Sequence, residues 1–96
     1  MKNNFTISQR NTIVENHLWC IKAVMEQNRA LIRAAKLDTD DVYQELALRL
    51  ILAVMSYDPE RGALKQHIFA QLRGELQKAA RSNVISLDAY RMRAAA

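Results

Sequence analysis

Three groups of side chains in this sequence could do chemistry: a cluster of carboxylates, two imidazoles with one thiol, and a run of cations and amides. Asp38, Asp40 and Asp41 stand close together, with Glu45 one helical turn further on. A cluster of this kind holds a hard cation when more oxygen ligands follow at set spacing around a glycine, and that glycine is missing. A carboxylate cap with further acids in the first turn is what the free N–H groups and dipole of a helix favour. Capping accounts for Asp38 but does not need all three acids, so part of that charge is left over for a partner.

His17 and His67 lie fifty residues apart, and Cys20 is the sole cysteine. Zinc needs closely spaced ligand pairs, so neither imidazole is expected to bind metal. No Ser/His/Asp set, phosphate loop or metal spacing is present, and the chain is expected to be no enzyme and to use no cofactor. The third group is different. Leu64, Ile68, Leu72 and Leu76 repeat every four residues, and Lys65, Gln66, Gln71, Arg73, Gln77, Lys78 and Arg81 cover the rest of that segment. A long helix of amides and cations, with Glu75 almost its only acid, suits contact with nucleic acid.

The elements that must carry these groups follow from periodicity and breakers. From Ile13 the apolar-face positions Ile13, Val14, His17 or Leu18, Ile21, Val24 and Met25 recur at helical spacing, with Glu15, Asn16, Lys22, Glu26 and Gln27 opposite. The pattern predicts a first helix over about 8–28, capped by Thr6 or Ser8, that continues or restarts after a kink to about Lys36. Trp19 and Cys20 are assigned to its packing. A second helix runs over about 39–56. Its Val42, Leu46, Leu50, Ala53 and Tyr57 form one stripe, Tyr43, Ala47, Ile51 and Val54 another, and Leu48, Leu52 and Met55 extend the apolar surface further round. With few helices available to surround it, part of that surface is expected to meet another protein.

Tyr57-Asp58-Pro59-Glu60-Arg61-Gly62 makes the turn. Pro59 is the only proline, fixes its own φ and pushes Asp58 out of the helical region, while Gly62 can take positive φ. The third helix starts near Ala63 and runs to about Arg81, and Ser86 or Asp88 is expected to cap a short final helix. The class is therefore all-α: a compact bundle of three main helices, the first kinked, plus a short C-terminal helix or tail. The expected layout is a flexible segment over 1–12, a helical domain over 13–81 and a linker-like tail over 82–96.

Charge is distributed unevenly. The net charge of +4 hides an acidic middle: residues 38–62 carry six acids and two bases, whereas the flanking segments each carry six bases and two acids. Two surfaces for two different partners follow from that layout. A lone cysteine, no apolar leader and no apolar run long enough for a membrane span lead to the expectation of a cytosolic, cytoplasmic protein.

These residues resemble region 2 of bacterial RNA polymerase sigma factors. DDVYQELALRLILAVMSYDPERG followed by LKQHIFAQLRGELQKAARS is similar to that family's D-L-x-Q-E helix start, its apolar run and its Y/F-D-P-x-R-G turn. The helix after the turn resembles the one in the flagellar and sporulation branches. Asp41, Gln44 and Glu45 stand in the first motif, Tyr57-Asp58-Pro59, Arg61 and Gly62 in the second, and Leu72-Arg73-Gly74 and Leu76 in the third. The resemblance covers about Ile13 to Arg81.

The resemblance implies a transcription initiation factor with two partners, core RNA polymerase and promoter DNA. By position, Asp41, Gln44, Glu45 and Leu48 would dock on the coiled coil of the polymerase's largest subunit. Lys65, His67, Gln71, Arg73, Gln77, Lys78 and Arg81 would line the path of the single-stranded −10 region. Two departures qualify this. A histidine, His67, stands where the family has a base-stacking aromatic, and Ala70 and Gln71 replace the tryptophan pair of housekeeping members. A second polypeptide with a helix-turn-helix, as in split sigma factors, is a further expected partner. The alternative expectation is a polymerase-binding regulator that has lost promoter reading and competes with sigma factors.

Overall fold

The computed structural model describes the backbone of residues 4–95 and the side chains of residues 4–82. Five α-helices follow one another: α1 (Ile7–Asn16), α2 (Trp19–Gln27), α3 (Arg29–Ala34), α4 (Thr39–Met55) and α5 (Leu64–Ala95), with a short 3-10 turn at Pro59–Arg61. No strand occurs among the described residues. The fold is all-α, a helical bundle.

Thr6 starts α1 with a capping box. Its Oγ1 accepts from the Gln9 N–H at 3.1 Å, and Gln9 Oε1 accepts from the Thr6 N–H at 2.8 Å. Two polar side chains then cut the first helical stretch: the break at His17 divides the helix expected over 8–28, whereas the one at Asn28 falls where a restart after a kink was one of the two expectations. His17 Nδ1 donates to the Ile13 carbonyl at 2.7 Å, and Asn28 Nδ2 donates to the Val24 carbonyl at 2.7 Å. Each captures the oxygen four residues back and leaves its own backbone off the helical region, at φ −119° and −117°. α3 closes on Lys36, which takes φ 55° so that the Leu37 N–H reaches the Ile32 carbonyl at 3.0 Å, a Schellman ending on a non-glycine residue.

The core is one cluster. Cys20, Ile21 and Val24 of α2, Ile32 of α3, Val42, Leu46, Leu50, Ala53 and Val54 of α4, and Ile68, Leu72 and Leu76 of α5 are all buried in it. α4 and α5 make the most extensive pairing, α2 packs against both, and α1 lies on α4. α1 itself contributes no fully buried residue. Beside the core, Arg49 of α4 bonds Glu75 of α5 at 2.9 Å, a partly buried pair tying the two long helices together.

The turn between them matches its sequence reading. Asp58 is extended (φ −116°, ψ 110°), and its carboxylate accepts from the Glu60 N–H at 3.0 Å. Gly62 takes φ 132°, ψ −171°, a region only glycine occupies without strain. Tyr57 Oη closes the loop by donating to the Gly62 carbonyl at 2.8 Å. After the turn α5 does not stop near Arg81. Its backbone stays helical to Ala95, passing through Ser86 and Asp88, whose side chains lie outside the described ones. Nothing breaks it, since no glycine or proline follows Gly74.

Candidate functional site

Asp38 builds the start of α4. Its Oδ1 accepts from the backbone N–H groups of Asp40 and Asp41 at 2.9 and 3.1 Å, which frees the next two carboxylates from capping. Asp41, Gln44, Glu45 and Leu48 then follow at three- and four-residue steps, so they share one face of the helix. All four are exposed, Leu48 by 60%. The same row continues through Ile51, Leu52 and Met55, each also exposed. Among the described residues, the side chains of Asp41, Gln44 and Glu45 make no hydrogen bond or ion pair. This is an acidic patch running into a partly exposed apolar row, whose Ile51 and Met55 border a groove shared with Ile7, Arg10 and Val14 of α1. Asp40 leaves that face and lines a different groove with Lys22, Glu26, Arg29 and Tyr43.

The seven α5 residues singled out in the sequence do not form one surface. Arg73, Gln77 and Arg81 are exposed along the outer side. His67 and Gln71 are half-buried and line a groove of about 460 Å³ beside the turn, together with Tyr57, Asp58 and Arg61. His67 Nε2 donates to the Ala53 carbonyl of α4 at 3.0 Å, and its ring lies 5.7 Å from that of Tyr57. Tyr57 in turn stacks on Phe5 at 6.4 Å. Lys78 faces the other way, in a groove of about 610 Å³ between α4 and α5 that also holds Asp41, Glu45 and Glu75. The structure thus brings Lys78 to the carboxylates rather than to the remaining cations.

Lys65 takes a third direction. Its Nζ lies 5.0 Å from the centre of the Trp19 indole, and Trp19 meets Phe69 edge-on at 5.7 Å. Trp19 is half exposed, whereas Cys20 beside it is fully buried, so only one of the two residues assigned to packing belongs to the core. The signal was present in the spacing. Ile21 and Val24 set the buried stripe of α2, and Trp19 falls on its flank. Burial pushes the Cys20 thiol above its usual range, with the Lys65 ammonium pulling partly the other way.

Among the described residues, no group of histidine, cysteine, aspartate or glutamate side chains is arranged to hold a metal ion. No helix among them is long and apolar enough to cross a membrane. What the arrangement offers is contact: an acidic-to-apolar face on α4 and a cationic, amide-rich face on α5. Comparison with known proteins gives a family match. A family model described as Sigma-70 region 2 covers residues 27–84, which takes in α3, α4, the turn and α5 as far as Val84. No curated protein and no solved structure matches the chain.

Proposed function

Because the chain belongs to the sigma-70 region 2 family, we propose that it acts in transcription initiation, docking on core RNA polymerase through α4 and contacting the −10 promoter region through α5. The observation that carries this reading is the outer face of α4. Asp41, Gln44, Glu45 and Leu48 stand exposed in the motif positions and run into Ile51, Leu52 and Met55. A helix apolar on its outer as well as its inner side needs a protein partner, and the acids give that partner a basic counterpart. Arg73, Gln77 and Arg81 on the outer side of α5 suit phosphate contact. A helix-turn-helix supplied by another polypeptide would extend promoter recognition beyond the one element this domain can reach.

Capture of core RNA polymerase by the immobilised chain tests the docking half. The wild-type chain retains polymerase, and Glu45→Lys weakens retention about tenfold or more while leaving the fold intact, because the residue is exposed. No retention by the wild type sinks the reading.

One observation favours the regulator reading as well. The His67 ring is turned inward onto Ala53 and Tyr57, and the outer side of α5 from Gln66 to Arg81 offers amides and cations but no aromatic ring among the described residues. Run-off transcription from a promoter with only a −10 element separates the two. Specific initiation that depends on this chain removes the regulator reading.

A further inference from the structure

α1 lies ahead of the residues that match the family model, and it carries a seam of its own. Ile7, Asn11 and Val14 follow one another at steps of four and three, and Leu18, just past the helix end, falls at the next step of four. That spacing is the repeat by which two helices pair along a shared stripe. Val14 also touches the core beside Ile13, whereas Ile7 keeps 69% of its surface in water and Asn11 and Leu18 are exposed. Ile7, Asn11 and Val14 form one wall of a groove of about 420 Å³, and the partly exposed Ile51 and Met55 of α4 form the other. Arg10 and Glu15 border the same groove from opposite flanks of the α1 stripe. Neither makes an ion pair among the described residues.

We propose that a second copy of this chain occupies the groove, its α1 running parallel to the first. The two flanking charges decide both the occupant and the direction. Arg10 stands just before the Asn11 step and Glu15 just after the Val14 step, the positions whose charges select partner and orientation in paired helices. In a parallel pair each faces the opposite flank of the other helix, so Arg10 meets the partner's Glu15 and the two-fold axis repeats the bond. An antiparallel pair would bring like charges to the same flank. Asn11 falls within the stripe, where an amide facing its own copy fixes a single register at some cost in stability. α4 already covers one side of α1, which leaves room for one added helix. A seam of 10 residues is too short to hold alone, and Ile51 and Met55 add apolar surface over the partner helix. The pair is therefore weak and forms as concentration rises, so α1 of the dilute chain remains loosely held. Ile51 and Met55 belong also to the row offered to polymerase, which makes the paired and the polymerase-bound chain alternatives.

Sedimentation equilibrium of the full chain alone, from about 5 to about 200 µM, reads the pair directly. The wild type is expected to pass from monomer to dimer within that range. Arg10→Glu and Glu15→Arg each set like charges across the seam and are expected to weaken pairing at least about fivefold. An equimolar mixture of the two variants restores it, as does the double variant R10E/E15R. Both reversals place the charge that the dipole of α1 favours, an acid toward its start and a base toward its end, so the helix itself is not weakened. A wild type that stays monomeric throughout overturns the proposal, and so does a species larger than a dimer. A dimer that ignores the single reversals, or a mixture that fails to pair, also overturns it. Should either reversal lose its helical circular dichroism, Ile7→Ser decides, because that side chain is exposed in the single chain. Loss of the dimer with the fold kept supports the seam, and an unchanged dimer overturns it. Polymerase capture and its dependence on Glu45 are measured separately and stand whichever way the pair falls.

Discussion

Cys20 is fully buried between α2 and the two long helices, and its thiol is pushed above the ordinary value of 9.0 mainly by loss of solvent. The folded chain therefore holds the thiol neutral at a pH where the unfolded chain ionises it. That preference adds stability in full below the ordinary thiol value, and the contribution disappears as pH rises through the folded value. Urea unfolding followed from pH 7 to 10 is expected to show stability falling above about pH 9, and Cys20→Ala to lack that part of the slope. Iodoacetamide should label the native thiol only as fast as the chain opens. His67 shows the other side of burial. A histidine in place of a stacking ring looks like a lost contact, yet its Nε2 is spent on the Ala53 carbonyl and its ring on Tyr57. Its position in the sequence says nothing about which way the imidazole turns.

The two glycines carry opposite predictions. Gly62 at φ 132° and ψ −171° lies where a Cβ is strained, so Gly62→Ala is expected to cost about 1–3 kcal/mol in urea or thermal unfolding. Gly74 lies inside α5, and a Cβ built there meets nothing within 4 Å. Gly74→Ala should therefore gain about 0.5–1 kcal/mol by the same measurement. Elements bounded by strong local signals were legible in the sequence. Asp38 caps α4, and Asp58-Pro59 and Gly62 separate it from α5. The interruption after α1 was not, because His17 breaks the helix by reaching the carbonyl four residues back, which it can decline to do, whereas the restart after Asn28 was one of two expected outcomes there. Lys36 in the left-handed region carries no sequence signal either. The uncovered apolar surface of α4 at Leu48, Leu52 and Met55 was legible from its pattern, whereas Asp41, Gln44 and Glu45 stood out through the family resemblance. The dispersal of Lys65, His67 and Lys78 to three different neighbours was not, since it depends on which helices flank α5.

Across the whole molecule, stability is graded. α2, α4 and α5 share the buried cluster, while α1 lies over α4 with no fully buried residue of its own. Hydrogen exchange on the native chain should show α1 amides exchanging well before those around Leu46, Leu50, Leu72 and Leu76, which open only on global unfolding. Comparable protection along α1 would mean that it folds as one unit with the rest. The Arg49–Glu75 bond has a different consequence. Together with the Ala53–His67 contact and the shared apolar stripe, it prevents α4 and α5 from sliding past each other. A ligand held on one helix is thereby presented to the other at a constant separation. If the proposed ligands of the two helices are themselves joined, two weak attachments reinforce each other through effective concentration alone, with no change of shape carried between them. In such a coupling, the same fold-loss at either attachment lowers the affinity of the whole assembly equally, whichever helix is altered.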